Sequence, residues 1–141
     1  MRLLLDTNVI ISAFLVRGGM PDLLLRAWLE SDRYELVTSR EQLAELERVC
    51  GYEHLRRRIT QQDIEDFLVV VDDRAIVVES IAEVTASPDP SDNLILGAAV
   101  AGKADLIVSG DRKDVVDLGA VEGIEIVTVR QAWERLQEQS Q

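Results

Sequence analysis

Two short runs of this chain, Leu3-Leu4-Leu5 and Leu106-Ile107-Val108, are apolar at every position, and an aspartate follows each closely, Asp6 after the first and Asp111 after the second. A strand with one wet face alternates apolar and polar residues. A run without alternation is buried on both faces, as a strand inside a parallel sheet is. Segments of helical spacing separate these runs from other short apolar stretches. The spacing predicts strands over Arg2–Leu5, Tyr34–Val37, Ala75–Glu79, Asp105–Ser109 and Ile124–Val129. It predicts helices over Val9–Val16, from Pro21 to about Glu30, from Ser39 to Cys50, over Asp63–Val71, over Asp92–Ala101 and over Arg130–Gln139. Ser39 with Gln42 three residues later has the spacing of a capping box, and Pro21 suits a first helical turn. Strands alternating with helices form βαβ units. The expected fold class is therefore α/β, with a central, mainly parallel sheet covered by helices on both faces. No repeat, low-complexity tract or long Pro/Gly/Ser linker divides the 141 residues, so one domain spanning 1–141 is expected.

A carboxylate just beyond a buried parallel strand sits at the carboxyl edge of the sheet, where open α/β folds bind their ligands. Besides Asp6 and Asp111, the acids of interest are Glu45 in Leu43-Ala44-Glu45-Leu46 and Asp89 and Asp92 in Asp89-Pro90-Ser91-Asp92. Carboxylates gathered at one edge repel one another unless protons or cations compensate. A hard divalent cation with oxygen ligands is the obvious compensator. Metal and water together point to phosphodiester chemistry.

Each acid also has an ordinary structural reading. Asp6 or Asn8 can cap a helix, but one polar residue would suffice for that, and three stand in a row, Asp6-Thr7-Asn8. Asn8 can orient the Asp6 carboxylate by hydrogen bonding. Glu45 lies on a helix whose core stripe is Leu43, Leu46, Val49 and Cys50, and Arg48 stands three residues on as a surface partner. Asp89 fits an N-cap with Pro90 after it, and Asp92 then falls in the first turn, favoured by the helix dipole. The helix that follows, Leu94 to Ala101, is apolar nearly all round, which presses Asp92 inward. Gly110 permits a sharp turn before Asp111, and Ser109 adds a hydroxyl. The ordinary reading of Asp111, Arg112, Lys113 and Asp114 is a solvated turn. Arg56-Arg57-Arg58 reads as a solvated helix end, and Trp28 and Trp133 read as core.

Composition excludes several classes. The single Cys50 rules out an internal disulfide and a cysteine zinc site. The single His54 rules out a histidine metal cage or triad. No apolar run approaches the ~20 residues of a membrane span, and the acid at position 6 leaves no room for a signal-peptide core, so a cytoplasmic location with no membrane contact is expected. Net charge is −11, which opposes a general nucleic-acid binder, although acids that hold cations are a partial exception. Thirteen of the fifteen basic residues are arginine, the better residue for forked contacts to phosphate. Neither a Gly-x-x-x-x-Gly-Lys loop nor a Gly-x-Gly-x-x-Gly turn occurs, and there is no Gly-x-Ser-x-Gly elbow.

Taken in order, Leu5-Asp6-Thr7-Asn8-Val9, Leu43-Ala44-Glu45-Leu46, Asp89-Pro90-Ser91-Asp92-Asn93 and Val108-Ser109-Gly110-Asp111 make the chain resemble PIN-domain proteins. In particular it resembles the small stand-alone VapC-like toxins of bacterial toxin–antitoxin pairs. The resemblance runs from Leu3 to about Leu136. It implies a three-layer α/β/α fold and Mg2+- or Mn2+-dependent cleavage of single-stranded RNA. It implies that Asp6, Glu45, Asp92 and Asp111 form an acidic quartet that is both catalytic and metal-binding. Asn8, Ser109, Asp89 and Asp114 stand in support. A homodimer and a small antitoxin from a neighbouring gene are the implied partners. One departure is visible: many relatives carry a second acid two residues after the one at Asp111, and here Lys113 stands there, with Asp114 next. Two rivals remain. One is a PIN-like module that binds RNA or protein without cutting. The other is a phosphotransfer domain of similar topology. A haloacid-dehalogenase-like phosphatase would need an aspartate where Asn8 stands. A receiver domain would need an acid pair after the first strand and a late lysine.

Overall fold

The computed structural model describes residues 1–110 and 120–139. Its centre is one six-stranded sheet in the order β3-β2-β1-β4-β6-β5. The strands are β1 (Arg2–Leu5), β2 (Glu35–Ser39), β3 (Ile76–Val78), β4 (Leu106–Ser109), β5 (Ala120–Val121) and β6 (Ile124–Thr128). All neighbours pair in parallel except β5 and β6, which form an antiparallel hairpin. The helices are α1 (Thr7–Leu15), α2 (Met20–Leu29), α3 (Arg40–Cys50), α4 (Glu53–Arg56), α5 (Gln61–Arg74), α6 (Pro90–Ala101) and α7 (Val129–Gln139). The expected α/β class with a mainly parallel central sheet is the observed one.

The unbroken apolar strands explain the layering. In β1, Leu3 and Leu5 face one core, and Leu4 faces the other. In β4, Leu106 and Val108 join the first core, and Ile107 joins the second. The first core lies under α1, α2, α3, α5 and α7, with Trp28 and Phe67 among its large side chains. The second lies under α6, whose Ile95, Leu96, Ala98 and Ala99 are buried against Leu4, Val37 and Ile107. Each strand side chain leaves water on its own face, so both faces contribute roughly 25 cal/mol per Å2 of apolar area buried. Among the described residues, no single helix is long and apolar enough to cross a membrane.

Several boundaries differ from the sequence expectation. The first helix starts at Thr7, because Asp6 caps it and accepts from the Asn8 backbone N–H. The helix expected from Asp92 starts at Pro90, because Asp89 caps it and accepts from the Ser91 N–H at 2.9 Å. Ser39 caps α3 and accepts from the Gln42 N–H at 3.0 Å. The Gln42 side chain, however, does not close the expected box but reaches across to β1 (below). Reciprocal capping boxes form instead between Thr60 and Asp63, at the head of α5, and between Thr128 and Gln131, at the head of α7. The short α4 and the two-residue β5 had no expectation in the sequence.

Trp133 is half-buried and lies under the Arg33 guanidinium, 5.8 Å from the ring centroid. Arg56, Arg57 and Arg58 are exposed, and Arg57 pairs with Glu53, as a solvated helix end would have it. Cys50, at the end of α3, is buried, and burial raises its thiol pKa. Its thiolate is therefore scarce, and the folded protein should react with a disulfide reagent at pH 8 far more slowly than the urea-unfolded chain. Equal rates would show that the α3 end opens readily.

Candidate functional site

The strand order reverses direction at β1. The chain builds β2 and β3 outward on one side of it, and β4 and β6 lie on the other. The crevice at such a switch point, beyond the carboxyl ends of the strands, is where open α/β sheets take ligands. Leu5 pairs with Val108, and Ser109 pairs with Thr128. The ends of β1, β4 and β6 therefore lie side by side at this edge.

Asp6 stands at that point and is 2% exposed. Its backbone N–H donates to the Val108 carbonyl at 2.8 Å, which continues the β1–β4 ladder by one residue. Its carboxylate accepts from the Ser109 hydroxyl at 3.3 Å and from the Asn8 backbone N–H at 3.3 Å. Asp6 is thus both a helix cap and a buried carboxylate held from the end of β4 and from the first turn of α1. Asn8 orients it through its backbone N–H, and the Asn8 side chain itself is exposed. Ser109 is fully buried and spends its hydroxyl on Asp6.

Glu45 comes to the same edge from α3. The Thr7 hydroxyl donates to its Oε2 at 3.5 Å. The surface pair with Arg48 does not form, because Arg48 bonds the Tyr52 hydroxyl and covers its ring instead. Glu45 is half-buried. Its position depends on Gln42, one turn earlier. The Gln42 amide N–H donates to the Leu5 carbonyl at 2.6 Å, and its carbonyl accepts from the Thr38 hydroxyl at 2.6 Å. Gln42 is 2% exposed, so the head of α3 is tied to the ends of β1 and β2. Sequence reasoning missed both Thr7 and Gln42 as positioning residues. The available signal for Gln42 was its three-residue spacing from Glu45, which puts both on one helix face.

Asp92 lies in the first turn of α6 and is 3% exposed, buried as the apolar helix demanded. The Ser87 hydroxyl donates to its Oδ2 at 3.2 Å. Asn93 fixes Ser87 by both backbone groups, accepting from its N–H at 2.9 Å and donating to its carbonyl at 2.8 Å. Asp89 caps this helix, its carboxylate accepting from the Ser91 N–H. Asp111 and Asp114 lie outside the described residues. Among the described residues, no group of three or more His, Cys, Asp or Glu side chains could hold a metal by itself. What the edge does bring together is Asp6 with Ser109, and Thr7 with Glu45.

Beside Asp6 an open cleft of about 500 Å3 runs between α1 and the head of α7, lined by Asn8, Ser12, Ser109 and Arg130 with apolar walls. A cavity of about 270 Å3 next to Cys50 and Arg56 lies away from these acids.

A PIN-domain family model matches residues 2–113, which take in every acid of the expected quartet. The chain belongs to the PIN-domain family. No curated protein matches it. PIN domains are generally nucleases, and those nucleases typically use Mg2+ or Mn2+. In this PIN domain the oxygen-only donors at the sheet edge suit such hard cations: the buried Asp6 carboxylate and the half-buried Glu45 carboxylate, with no histidine or cysteine beside them.

Proposed function

We propose that this PIN domain is an endoribonuclease that cuts single-stranded RNA with Mg2+ or Mn2+, and that it acts as the toxin of a toxin–antitoxin pair. The observation that carries the reading is the convergence on one edge of the buried Asp6 and of Glu45, which comes from a separate helix and touches the residue next to Asp6. In this reading Asp6, Glu45, Asp92 and Asp111 hold the cation. When bound, Mg2+ or Mn2+ would stabilise charge on the attacking and leaving oxygens at phosphorus and lower the pKa of the attacking water. The chain's own residues do the positioning. Ser109 and the Asn8 N–H hold the Asp6 carboxylate in one orientation, Gln42 holds the head of α3 against β1, and Ser87 holds Asp92. Each bond is made before substrate arrives, so the acids need little rearrangement, which is the use of preorganised groups in catalysis. No histidine base is needed. The partner we infer is a small antitoxin from a neighbouring gene, basic or carrying an arginine, that occupies the acidic sheet edge, and the working form is a cytoplasmic homodimer.

The test is cleavage of single-stranded RNA in Mn2+, with loss in chelator, together with thermal melting. A cation that binds only the folded state stabilises it by mass action, about 2.7 kcal/mol at a hundred times its Kd. For a chain of this size that is a rise in Tm of roughly 5–10 °C. The rise should disappear in Asp6→Asn. Equal rises in wild type and Asp6→Asn would remove Asp6 from the ligands. A cation-dependent rise without any cleavage would leave a PIN-like binding module that does not cut.

A further inference from the structure

The cleft between α1 and α7 opens directly beside Asp6 and is lined in part by residues that hold it. Ser109 belongs to both: its hydroxyl donates to Asp6, and the residue lines the cleft. Thr128, paired with Ser109 across the sheet, forms the far edge. Its hydroxyl is committed to the Gln131 N–H, while the Gln131 side chain accepts from the Thr128 N–H. Two residues on, Arg130 is exposed on the cleft rim and makes no ion pair with another described residue. Arg135 on the same helix pairs with Glu125 and Arg26 on α2 pairs with Asp22, whereas Arg17 and Arg56, like Arg130, are exposed and make no ion pair with a described residue. What sets Arg130 apart is that it lines the cleft beside Asp6. The walls between these polar groups are Val9, Pro21 and Val129. The volume of about 500 Å3 is within the range that takes a small organic ligand.

An apolar-walled cleft with an exposed guanidinium at its rim, next to the Asp6 carboxylate, fits one nucleotide unit. We propose that this cleft seats the nucleotide adjoining the scissile phosphodiester, with Arg130 as the residue that binds its phosphate. The inference rests on the ribonuclease reading. The sugar and base lie against Val9, Pro21 and Val129. Asn8 and Ser12, the polar side chains along α1, face the polar edges of the nucleotide. Arginine offers a forked pair of donors to phosphate. No lining residue is aromatic, so the phosphate contact carries more of the affinity than stacking does. A base can enter such a cleft only when unpaired, which accounts for a preference for single strands. The arrangement also answers the charge problem: a chain of net −11 needs a local cation where RNA must approach acids.

The experiment compares wild type, Arg130→Ala, Arg130→Lys and Arg56→Ala on a short fluorescein-labelled oligoribonucleotide. Arg56 is exposed and lies by the cavity away from the acids, so Arg56→Ala removes the same charge elsewhere. Losing one charged hydrogen-bonding group should raise KM by about tenfold in Arg130→Ala with kcat little changed. Arg130→Lys should recover part of it, and Arg56→Ala should behave as wild type. Binding is read separately by anisotropy in an Asp6→Asn background, which prevents cutting. There Arg130→Ala should weaken binding and reduce the slope of log K against log salt by about 0.7, the loss of one phosphate contact. Wild type that cuts RNA while Arg130→Ala keeps its KM overturns the subsite and leaves the ribonuclease reading intact. Equal losses in Arg130→Ala and Arg56→Ala overturn it in favour of a general charge effect. A wild type that neither cuts nor binds the oligonucleotide removes both readings together.

Discussion

Glu45→Gln should lower the cleavage of single-stranded RNA in Mn2+ by at least about two orders of magnitude, the scale of losing one electrostatic stabiliser. The substitution changes charge and little else. Glutamine keeps an oxygen that can accept from the Thr7 hydroxyl, now 3.5 Å from Oε2, and Gln42 still ties α3 to Leu5. The fold should therefore persist. If Glu45 were a surface acid, the same change would cost no more than ~1 kcal/mol of stability and leave activity alone. Glu41→Gln, one turn earlier on α3, is the control and should stay active. A Glu45→Gln enzyme as fast as the control would leave too few acids for a cation-dependent mechanism.

That prediction falls where the sequence was least informative. Within α3, Glu45 follows the polar side of a Leu43–Leu46 core stripe, and Arg48 stands three residues on, at the spacing of a helical ion pair. Periodicity alone describes a solvated acid. What changes the reading is a contact between α3 and α1, across 38 residues of chain, and helical periodicity carries no information about contacts between helices. Gln42 shows the same limit. Its spacing from Ser39 matches a capping box, but spacing does not reveal whether a side chain turns back to its own helix or reaches a strand carbonyl. The boxes that form stand elsewhere: Thr60 with Asp63, a shorter acid than the usual Glu or Gln, and Thr128 with Gln131, which has the usual pattern. The hairpin of β5 and β6 was illegible for a different reason. A two-residue strand is too short to show alternation, and its turn needs positive φ at Glu122 (51°) and Gly123 (79°), an unusual conformation for glutamate.

The central layer was legible because burial on both faces leaves a direct mark, uninterrupted apolar residues in Leu3–Leu5 and Leu106–Val108. Asp6 followed from it, since a carboxylate after such a strand has little choice of location. Its two readings, cap and buried site acid, turn out to be compatible: one oxygen accepts from the Asn8 N–H, the other from Ser109. For Asp92 the apolar surroundings of its helix gave the correct burial. Its anchoring by Ser87 and Asn93 depends on how the segment between β3 and α6 folds back, which composition does not encode.

That fold-back also meets the second core at a close backbone contact. A Cβ added to Gly97 would lie 2.2 Å from the Ala82 carbonyl oxygen, and the Ala82 N–H donates to the Gly97 carbonyl at 3.1 Å. The obstacle is backbone, so no side-chain rotation relieves it. Gly97→Ala carries two opposed effects. Alanine in a helix interior is favoured over glycine by about 1 kcal/mol. Against this, overpacking a close contact costs about 1–3 kcal/mol, and this contact is well inside van der Waals separation, so the upper end applies. The expected net loss is about 1–2 kcal/mol, read as a lower urea midpoint at unchanged slope. The damage should reach further than stability. Displacing Ala82 moves the segment that carries Ser87, whose hydroxyl holds Asp92, five residues before Gly97 on the same helix. RNA cleavage should therefore fall more than the loss of folded protein explains, at a temperature where Gly97→Ala remains folded. A Gly97→Ala protein more stable than wild type would mean that α6 and this segment separate without cost. A destabilised but fully active one would detach Ser87 from the positioning of Asp92.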